Sequence, residues 1–176
     1  MFFGNQDGVN YRGYYEYKHL MVKRETLFFF RQPEESDLPY IARWMAASTR
    51  LPEERRERIV RELQKQFHDP KNNTLSFSWI AIAGKKRVFF LELAGKEELF
   101  LITPVNLAMH PRLALSIWKK ALDHILSLGP VDTLWVTLED DRLTEERALR
   151  RLGFTSSAAG EQCVLYEYHP PPLSSL

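Results

Sequence analysis

Two hydrophobic periods alternate along the chain, and their order predicts an α/β fold. The runs LSFSWIAIA, RVFFLEL and LFLITPVNL are apolar in the manner of strands, and two short turns, GKK and AGKEE, join them into an antiparallel meander. The segment HPRLALSIWKKALDHILSLG instead places apolar residues at helical spacing, and Gly129 with Pro130 ends it. Read in full, the order is β-α-α-β-β-β-α-β-α-β, with one more short strand near Phe154. It predicts a mixed, mostly antiparallel sheet flanked by about four helices.

The ends of the chain differ from its middle. A chain of 176 residues is expected to form one domain. Residues 1–22 are mostly polar and tyrosine-rich, follow neither period and lead up to Met21, so we expect an N-terminal arm there. The folded domain is predicted over 23–169, and the PPPLSSL segment predicts a disordered tail over 170–176.

Two local patterns add expectations about the surface and the core. The run RETLFFFRQ has a continuous apolar centre, which is typical of a strand covered on both faces. The charges of EERRER, on the helix that follows Pro52, interleave both signs and therefore predict a solvated helix face.

Composition narrows the class of partner. Lysine and arginine exceed aspartate and glutamate by one, so no strong field would draw the chain to nucleic acid or to an anionic membrane. No apolar run reaches the roughly 20 residues that cross a bilayer. The single Cys163 cannot form an internal disulfide, and no signal segment opens the chain, so a cytoplasmic location is expected. The oligomeric state stays open, with a homodimer among the alternatives.

Several kinds of catalytic or metal site are not supported by the sequence. The five histidines are scattered without metal-ligand spacing, and one cysteine excludes a thiolate zinc cluster. Neither a nucleophile elbow nor a phosphate-binding P-loop occurs. Cys163 lies on an alternating strand, as expected of a small core residue. No metal cofactor is predicted.

A family resemblance rests on the element order and on two motifs. Over residues 24–168 the chain resembles the GNAT superfamily of acyl-CoA-dependent N-acyltransferases. The family's first strand-to-helix segment often has the form R-x-A-x-x-x-D-L-x-x-I, and its last helix typically ends in L-G-F. The segments RQPEESDLPYI and ALRRLGF match these motifs at Arg31, Asp37, Leu38 and Ile41, and at Leu152, Gly153 and Phe154.

The resemblance implies an acyl-CoA co-substrate and an amine acceptor, which would be a small molecule or a peptide. In the family, the fourth and fifth strands separate, and the pantetheine arm of CoA lies between them. Pro104 lacks the N–H that a ladder needs, so it suits either a strand that leaves its neighbour or a strand that simply ends. The residues that follow it, Val105, Asn106 and Leu107, would contact the pantetheine.

The family's glycine-rich pyrophosphate loop is missing. Where it would lie, the chain has MHPRLALS, with Leu113, Ala114 and Leu115 in the glycine region. The N–H groups and dipole of a helix beginning here remain available to an anion, and Arg112 adds a charge. The predicted contacts to CoA in this segment are therefore Arg112, Leu115 and Ser116.

Two residues are candidates for the catalytic proton transfer. Glu92, inside an apolar strand, would be a stronger base if buried, and its alternative is an exposed glutamate at a strand end. His110 precedes the helix at the predicted opening, and its alternative is an ordinary turn histidine. Leu149 occupies the position at which many members carry a proton-donating tyrosine. Two functions stay open: an N-acyltransferase, or a GNAT-like binding or structural module without catalysis, of the kind found in phage and prophage regions.

Overall fold

The computed structural model describes residues 28–47, 53–68, 76–95, 97–104, 110–139, 141–161 and 163–171. The predicted N-terminal arm lies outside them, as does all of the predicted tail beyond 171. The described residues form seven strands, four α-helices and one 3-10 turn at Glu35–Asp37. The strands are β1 (Phe28–Arg31), β2 (Ser76–Ala83), β3 (Lys86–Ala94), β4 (Glu98–Ile102), β5 (Leu134–Glu139), β6 (Thr155–Ala159) and β7 (Cys163–Tyr168), and the helices are α1 (Leu38–Ala47), α2 (Glu53–His68), α3 (Pro111–Ser127) and α4 (Leu143–Arg151).

All seven strands belong to one sheet, in the order β1-β2-β3-β4-β5-β7-β6. Strands β2, β3 and β4 form the predicted antiparallel meander, and tight links at Gly84 and Gly95, both with positive φ, connect them. Among the described strands, only β4 and β5 pair in parallel, because α3 carries the chain back across the sheet between them. The predicted mixed, mostly antiparallel sheet with four helices is confirmed.

The two faces of the sheet are covered by different helices. Helices α3 and α4 pack on one face, over alternate residues such as Phe89, Leu91 and Leu101, and this is called the α3–α4 face. Helices α1 and α2 pack on the opposite face, over Ile80, Phe90 and Ile102, and this is called the α1–α2 face. Successive strand residues point to opposite faces, so a residue's position in its strand determines which of the two cores it joins.

One expectation about β1 is wrong. Its apolar run suggested a strand covered on both faces, yet β1 is an edge strand and the Phe29 side chain is 49% exposed. Phe30, which points to the α3–α4 face, packs against the core. A short apolar run does not distinguish a central strand from an edge strand, because that distinction depends on which strands pair.

Within the described residues, no helix is both long enough and apolar enough to cross a membrane.

Candidate functional site

Strands β4 and β5 pair at a single position and separate beyond it. Glu98 pairs with Trp135, and the Trp135 N–H donates a 2.7 Å hydrogen bond to the carbonyl of Glu97. Beyond this pair, no further β4–β5 pairing occurs in the described strands, although β4 continues to Ile102 and β5 to Glu139. The predicted separation of the two strands is therefore confirmed as far as these residues reach. Pro104 follows directly, and the proposed pantetheine contacts Val105, Asn106 and Leu107 lie outside the described residues.

Helix α3 begins at the end of the sheet towards which the opening widens. His110 is its N-cap residue and Pro111 its first helical residue, a position that suits proline because the missing N–H would have no acceptor within the helix. The first intrahelical hydrogen bond runs from the Ala114 N–H to the His110 carbonyl, at 2.9 Å. The N–H groups of Arg112 and Leu113 precede it and find no acceptor within the helix. They form the positive end of a 17-residue helix dipole.

The residues that replace the glycines point mainly into the core. Leu113 is 5% exposed and Ala114 is fully buried, so neither side chain covers the helix N-terminus from outside. Leu115 is half-buried and packs against the same core, and Ser116 is half-buried as well. Arg112 is exposed. Among the predicted CoA contacts that the structure describes, Arg112 is the most accessible.

His110 is half-buried where the chain enters α3. Its side chain forms no capping hydrogen bond to the helix. Burial lowers the pKa of the His110 imidazole, because a low-dielectric environment disfavours the charged form. The neutral ring, which can accept a proton, therefore predominates at neutral pH.

Glu92 lies on the α1–α2 face, one strand away from the opening. It faces Phe100 of β4 and Ser78 of β2 across the sheet, and it is 5% exposed beneath α2. Its Oε2 atom is buried without a hydrogen-bond partner among the described residues. Burial raises the pKa of Glu92, and this effect outweighs the opposing influence of Arg58 and Arg55. The expectation of an exposed strand-end glutamate is therefore wrong, and the buried alternative is correct.

The structure does not bring the two catalytic candidates together. Glu92 belongs to the α1–α2 face, whereas His110 begins the helix that packs on the α3–α4 face. A proton relay between these two side chains is not supported. Among the described residues, no cluster of histidine, cysteine, aspartate and glutamate could hold a metal ion.

The pattern of EERRER gave a misleading impression of one residue, Arg55. Its guanidinium lies 4.3 Å from the centre of the Phe100 ring and 3.1 Å from the Glu98 carboxylate. Arg55 therefore covers the α1–α2 face of β4 beside the opening, instead of extending into solvent. Interleaved charges indicate a solvated helix face only when no strand passes beneath it, and sequence spacing does not reveal where β4 passes.

Leu149 is fully buried within α4 and packs in the core shared with α3. A leucine side chain at this position has no proton to donate.

Comparison with known proteins identifies the fold. No family model matches the chain, and neither does any curated protein sequence. Solved structures of similar shape include a spermidine N-acetyltransferase SpeG chimera of Vibrio cholerae and human SSAT sequences, with a TM-score of 0.61 and 14% identity, covering 81% of this chain and 95% of that one. The PaiA N-acetyltransferase of Thermoplasma acidophilum, solved with coenzyme A, gives a TM-score of 0.57 and 15% identity, covering 82% of this chain and 99% of that one.

A third similar structure is a candidate acetyltransferase of the GNAT family from Desulfovibrio desulfuricans. Its TM-score is 0.61 at 13% identity, and the match covers 81% of this chain and 99% of that one. In all three cases the similarity extends over nearly the whole of the compared domain. Two features of the topology point to the same fold as these three structures: the separation of β4 from β5, and the parallel crossover through α3. The chain therefore has the fold of the GNAT superfamily of N-acyltransferases.

Proposed function

We propose that the chain is an N-acyltransferase that transfers an acetyl or larger acyl group from an acyl-CoA thioester to an amine in a reducing cytosol. The observation that carries this proposal is the separation of β4 from β5 beside the first turn of α3. A GNAT-like module that has lost CoA chemistry would share this fold, so binding of CoA is what distinguishes the two functions.

The open strands suit the pantetheine arm of CoA. In the described residues, β4 beyond Glu98 is paired only with β3, and β5 beyond Trp135 only with β7. Backbone N–H and C=O groups seek partners, and the two amides of pantetheine offer both donors and acceptors along an extended chain. The arm would thus lie between β4 and β5 in the manner of an added strand.

The first turn of α3 suits the pyrophosphate. The N–H groups of Arg112 and Leu113 and the helix dipole attract an anion, and the exposed Arg112 guanidinium adds a charge-assisted contact. Without the family's glycines, fewer backbone N–H groups can converge on the phosphates, so we expect weaker binding than a glycine-rich loop would give.

The chemistry requires one bond to form and one to break. The amine nitrogen attacks the thioester carbonyl carbon, the C–S bond breaks, CoA leaves as a thiolate, and the amine loses a proton to a base. Glu92 is our first candidate for that base, on the α1–α2 face, and His110 is the second, at the start of α3. Since Leu149 cannot protonate the thiolate, the proposal relies mainly on positioning the thioester and the amine.

Ligand binding gives the first test. At about 1 mM acetyl-CoA and a Kd of about 0.1 mM, the stabilisation is roughly 1.4 kcal/mol, which raises Tm by a few degrees. We expect Arg112→Ala to reduce this rise while leaving the unliganded Tm nearly unchanged. Arg43→Ala, which alters an exposed arginine on α1, is the matched control and is expected to behave like the wild type.

Transfer gives the second test. Mass spectrometry would follow acetylation of a panel of amines, beginning with polyamines because a structural neighbour is a spermidine N-acetyltransferase. Glu92→Gln and His110→Gln, assayed separately, would assign the base through the acid limb of the pH profile. A chain that shows no thermal shift with acetyl-CoA, no perturbation of the first turn of α3 and no transfer is not an enzyme of this kind. The binding-module alternative would then replace it.

A further inference from the structure

A carboxyl oxygen and a guanidinium nitrogen are both buried on the α1–α2 face, on two residues that adjoin Phe100, and neither atom satisfies the other. The Oε2 atom of Glu92 and the Nε atom of Arg55 are both buried, and neither has a hydrogen-bond partner among the described residues. Unsatisfied buried polar groups are uncommon in folded proteins, because each loses its hydration without compensation. Two of them within one small region of the α1–α2 face call for an explanation.

The position of Arg55 explains why the pair is not formed. Its Nη2 group lies 3.1 Å from a Glu98 oxygen, and its guanidinium lies over the ring of Phe100 at 4.3 Å. Phe100 faces Glu92 directly across the β3–β4 ladder, and such neighbours have Cβ atoms about 5 Å apart. Arg55 therefore lies beside both carboxylates and is paired with only one of them.

We propose that Glu98 and Glu92 compete for Arg55, and that this competition determines whether Glu92 carries a proton. With Arg55 held by Glu98, burial shifts the equilibrium of Glu92 towards its uncharged acid form. With Arg55 turned towards Glu92, the carboxylate form is stabilised. Arg55 is thus a positioning residue that acts through Glu92.

The charges around Glu92 agree with such a balance. Burial raises the pKa of Glu92, Arg58 and Arg55 oppose that effect, and Glu98 and Glu62 reinforce it. Of these charged groups, Arg55, Arg58 and Glu62 belong to α2 and Glu98 belongs to β4. Moving the Arg55 guanidinium towards Glu92 would strengthen the influence that favours the carboxylate form.

For catalysis, the inference rests on the proposed function. A protonated Glu92 cannot accept a proton from an amine. A cationic acceptor that pairs with Glu98 would release Arg55 towards Glu92, the Glu92 proton would pass to solvent, and the resulting carboxylate could take a proton from the acceptor ammonium. Binding of the acceptor would in this way prepare its own base.

The coupling is tested on the unliganded protein by following the Glu92 side-chain carboxyl carbon in an NMR pH titration. Arg55→Met is expected to raise the pKa of Glu92, and Glu98→Gln to lower it, each by on the order of one unit. Opposite directions exclude general loosening of the fold, which would move both variants the same way. Competition further requires that Glu98→Gln shift the Glu92 pKa much less in an Arg55→Met background than in the wild type, and fully additive shifts would mean that the two charges act independently. Arg55→Lys and Glu98→Asp provide smaller changes of the same sign if either first variant fails to fold.

An unchanged pKa in both variants, or a shift of both in one direction, overturns the inference. The titration needs neither CoA nor an acceptor, so its failure is distinguishable from failure of the proposed function. In the active enzyme, we further expect Glu98→Gln to shift the acid limb of kcat/KM to lower pH. A limb that stays in place while the Glu92 pKa moves would remove Arg55 from catalysis and exclude Glu92 as the base.

Discussion

Arg31 donates two hydrogen bonds to the carboxylate of Asp37, at 2.6 and 3.0 Å. Asp37 is fully buried, and it also accepts from the backbone N–H of Glu34 at 2.7 Å and from the Nε of Arg87. One carboxylate thus joins the end of β1, the turn that leads into α1, and β3. The two residues that carried much of the family resemblance stabilise the fold at this junction and lie outside the candidate catalytic groups.

Removing the charge of Asp37 should be costly. Asp37→Asn leaves two guanidinium groups facing a neutral amide, and breaking a buried ion pair in this way costs about 3 kcal/mol. For a domain of this size we expect Tm to fall by roughly 6 to 12 °C. Glu34→Gln is the control. The Glu34 side chain is 65% exposed, and its carboxylate lies 3.6 Å from Arg31, farther than that of Asp37. This variant should change the free energy of unfolding by less than about 0.5 kcal/mol. Equal effects of the two variants would contradict this role.

The same carboxylate predicts sensitivity to acid. Burial by itself would raise the pKa of Asp37, but hydrogen bonds from Arg31, Glu34 and Arg87 outweigh burial and lower it. A lowered folded-state pKa gives stability that is present above the unfolded value, near 3.8, and is lost as pH falls through the folded-state pKa. Urea unfolding should therefore show the gap between wild type and Asp37→Asn narrowing from pH 5 to pH 2.5. A difference in stability that stays constant over this pH range would mean that the cost of Asp37→Asn does not come from losing the Asp37 charge.

The L-G-F motif also has a structural explanation. Gly153 has a φ of +95°, its N–H donates to the Arg150 carbonyl, and the Phe154 N–H donates to the Leu149 carbonyl, both near 3 Å. These are the two hydrogen bonds of a Schellman motif, which ends a helix through a left-handed residue. The sequence could predict this because the requirement is local: only glycine adopts that backbone conformation without strain.

Gly153→Ala is expected to destabilise the domain by about 1 kcal/mol or slightly more. The backbone would be strained, and the added Cβ would lie 3.4 Å from the ring of Tyr168. Arg147→Ala, an exposed change on the same helix, serves as the control and should be close to neutral. Equilibrium unfolding in urea measures both. A neutral Gly153→Ala would mean that the helix end relaxes into another conformation.

The sequence predicted the elements better than it predicted the site. Alternating and helical periods located β2, β3, α3 and α4, because a strand or helix with one buried face has apolar residues at regular intervals along its sequence. The burial of Glu92 and the pairing of Arg55 with Glu98 depend on where α2 crosses β4, which no local period records. The interleaved charges around Arg55 and the apolar neighbours of Glu92 were compatible with either an exposed or a buried location.

Leu149 allows a test of whether the missing acid can be restored. Leu149 is fully buried, so Leu149→Tyr must fit a larger ring and its hydroxyl into a packed core. We expect a loss of about 1 to 3 kcal/mol in the free energy of unfolding, and no gain in transfer rate. Leu143→Tyr, at a side chain that is 56% exposed, should be nearly neutral. A faster Leu149→Tyr enzyme would show that this position reaches the leaving thiolate after all.

His124 makes the stability of the α3 packing depend on pH. Its ring stacks on Phe30 with centroids 3.8 Å apart, and it lies nearly perpendicular to the ring of Trp79 with centroids 5.1 Å apart. Its Nε2 atom is buried without a hydrogen-bond partner among the described residues. Burial lowers the pKa of His124, because a proton on this nitrogen would be held away from water. Phe30 and Trp79 carry no charge, and Lys120, one helical turn earlier, would only repel the charged ring.

The direction of this pH dependence follows from the difference in proton binding between the folded and unfolded states. The folded state binds the His124 proton less readily than the unfolded chain, so stability is full above pH 6.5 and falls as pH decreases towards the lowered folded-state value. His124→Phe preserves the ring stacking and removes the titration, so its free energy of unfolding should fall less between pH 8 and pH 5 than that of the wild type. The variant should keep the part of this pH-dependent loss that is due to His110, whose pKa is also lowered by burial. If His124→Phe loses as much stability as the wild type over this range, the folded and unfolded chains bind the His124 proton equally well. A larger loss than that of the wild type would mean that the folded state binds the proton more tightly, as a cation–π contact with Phe30 would allow.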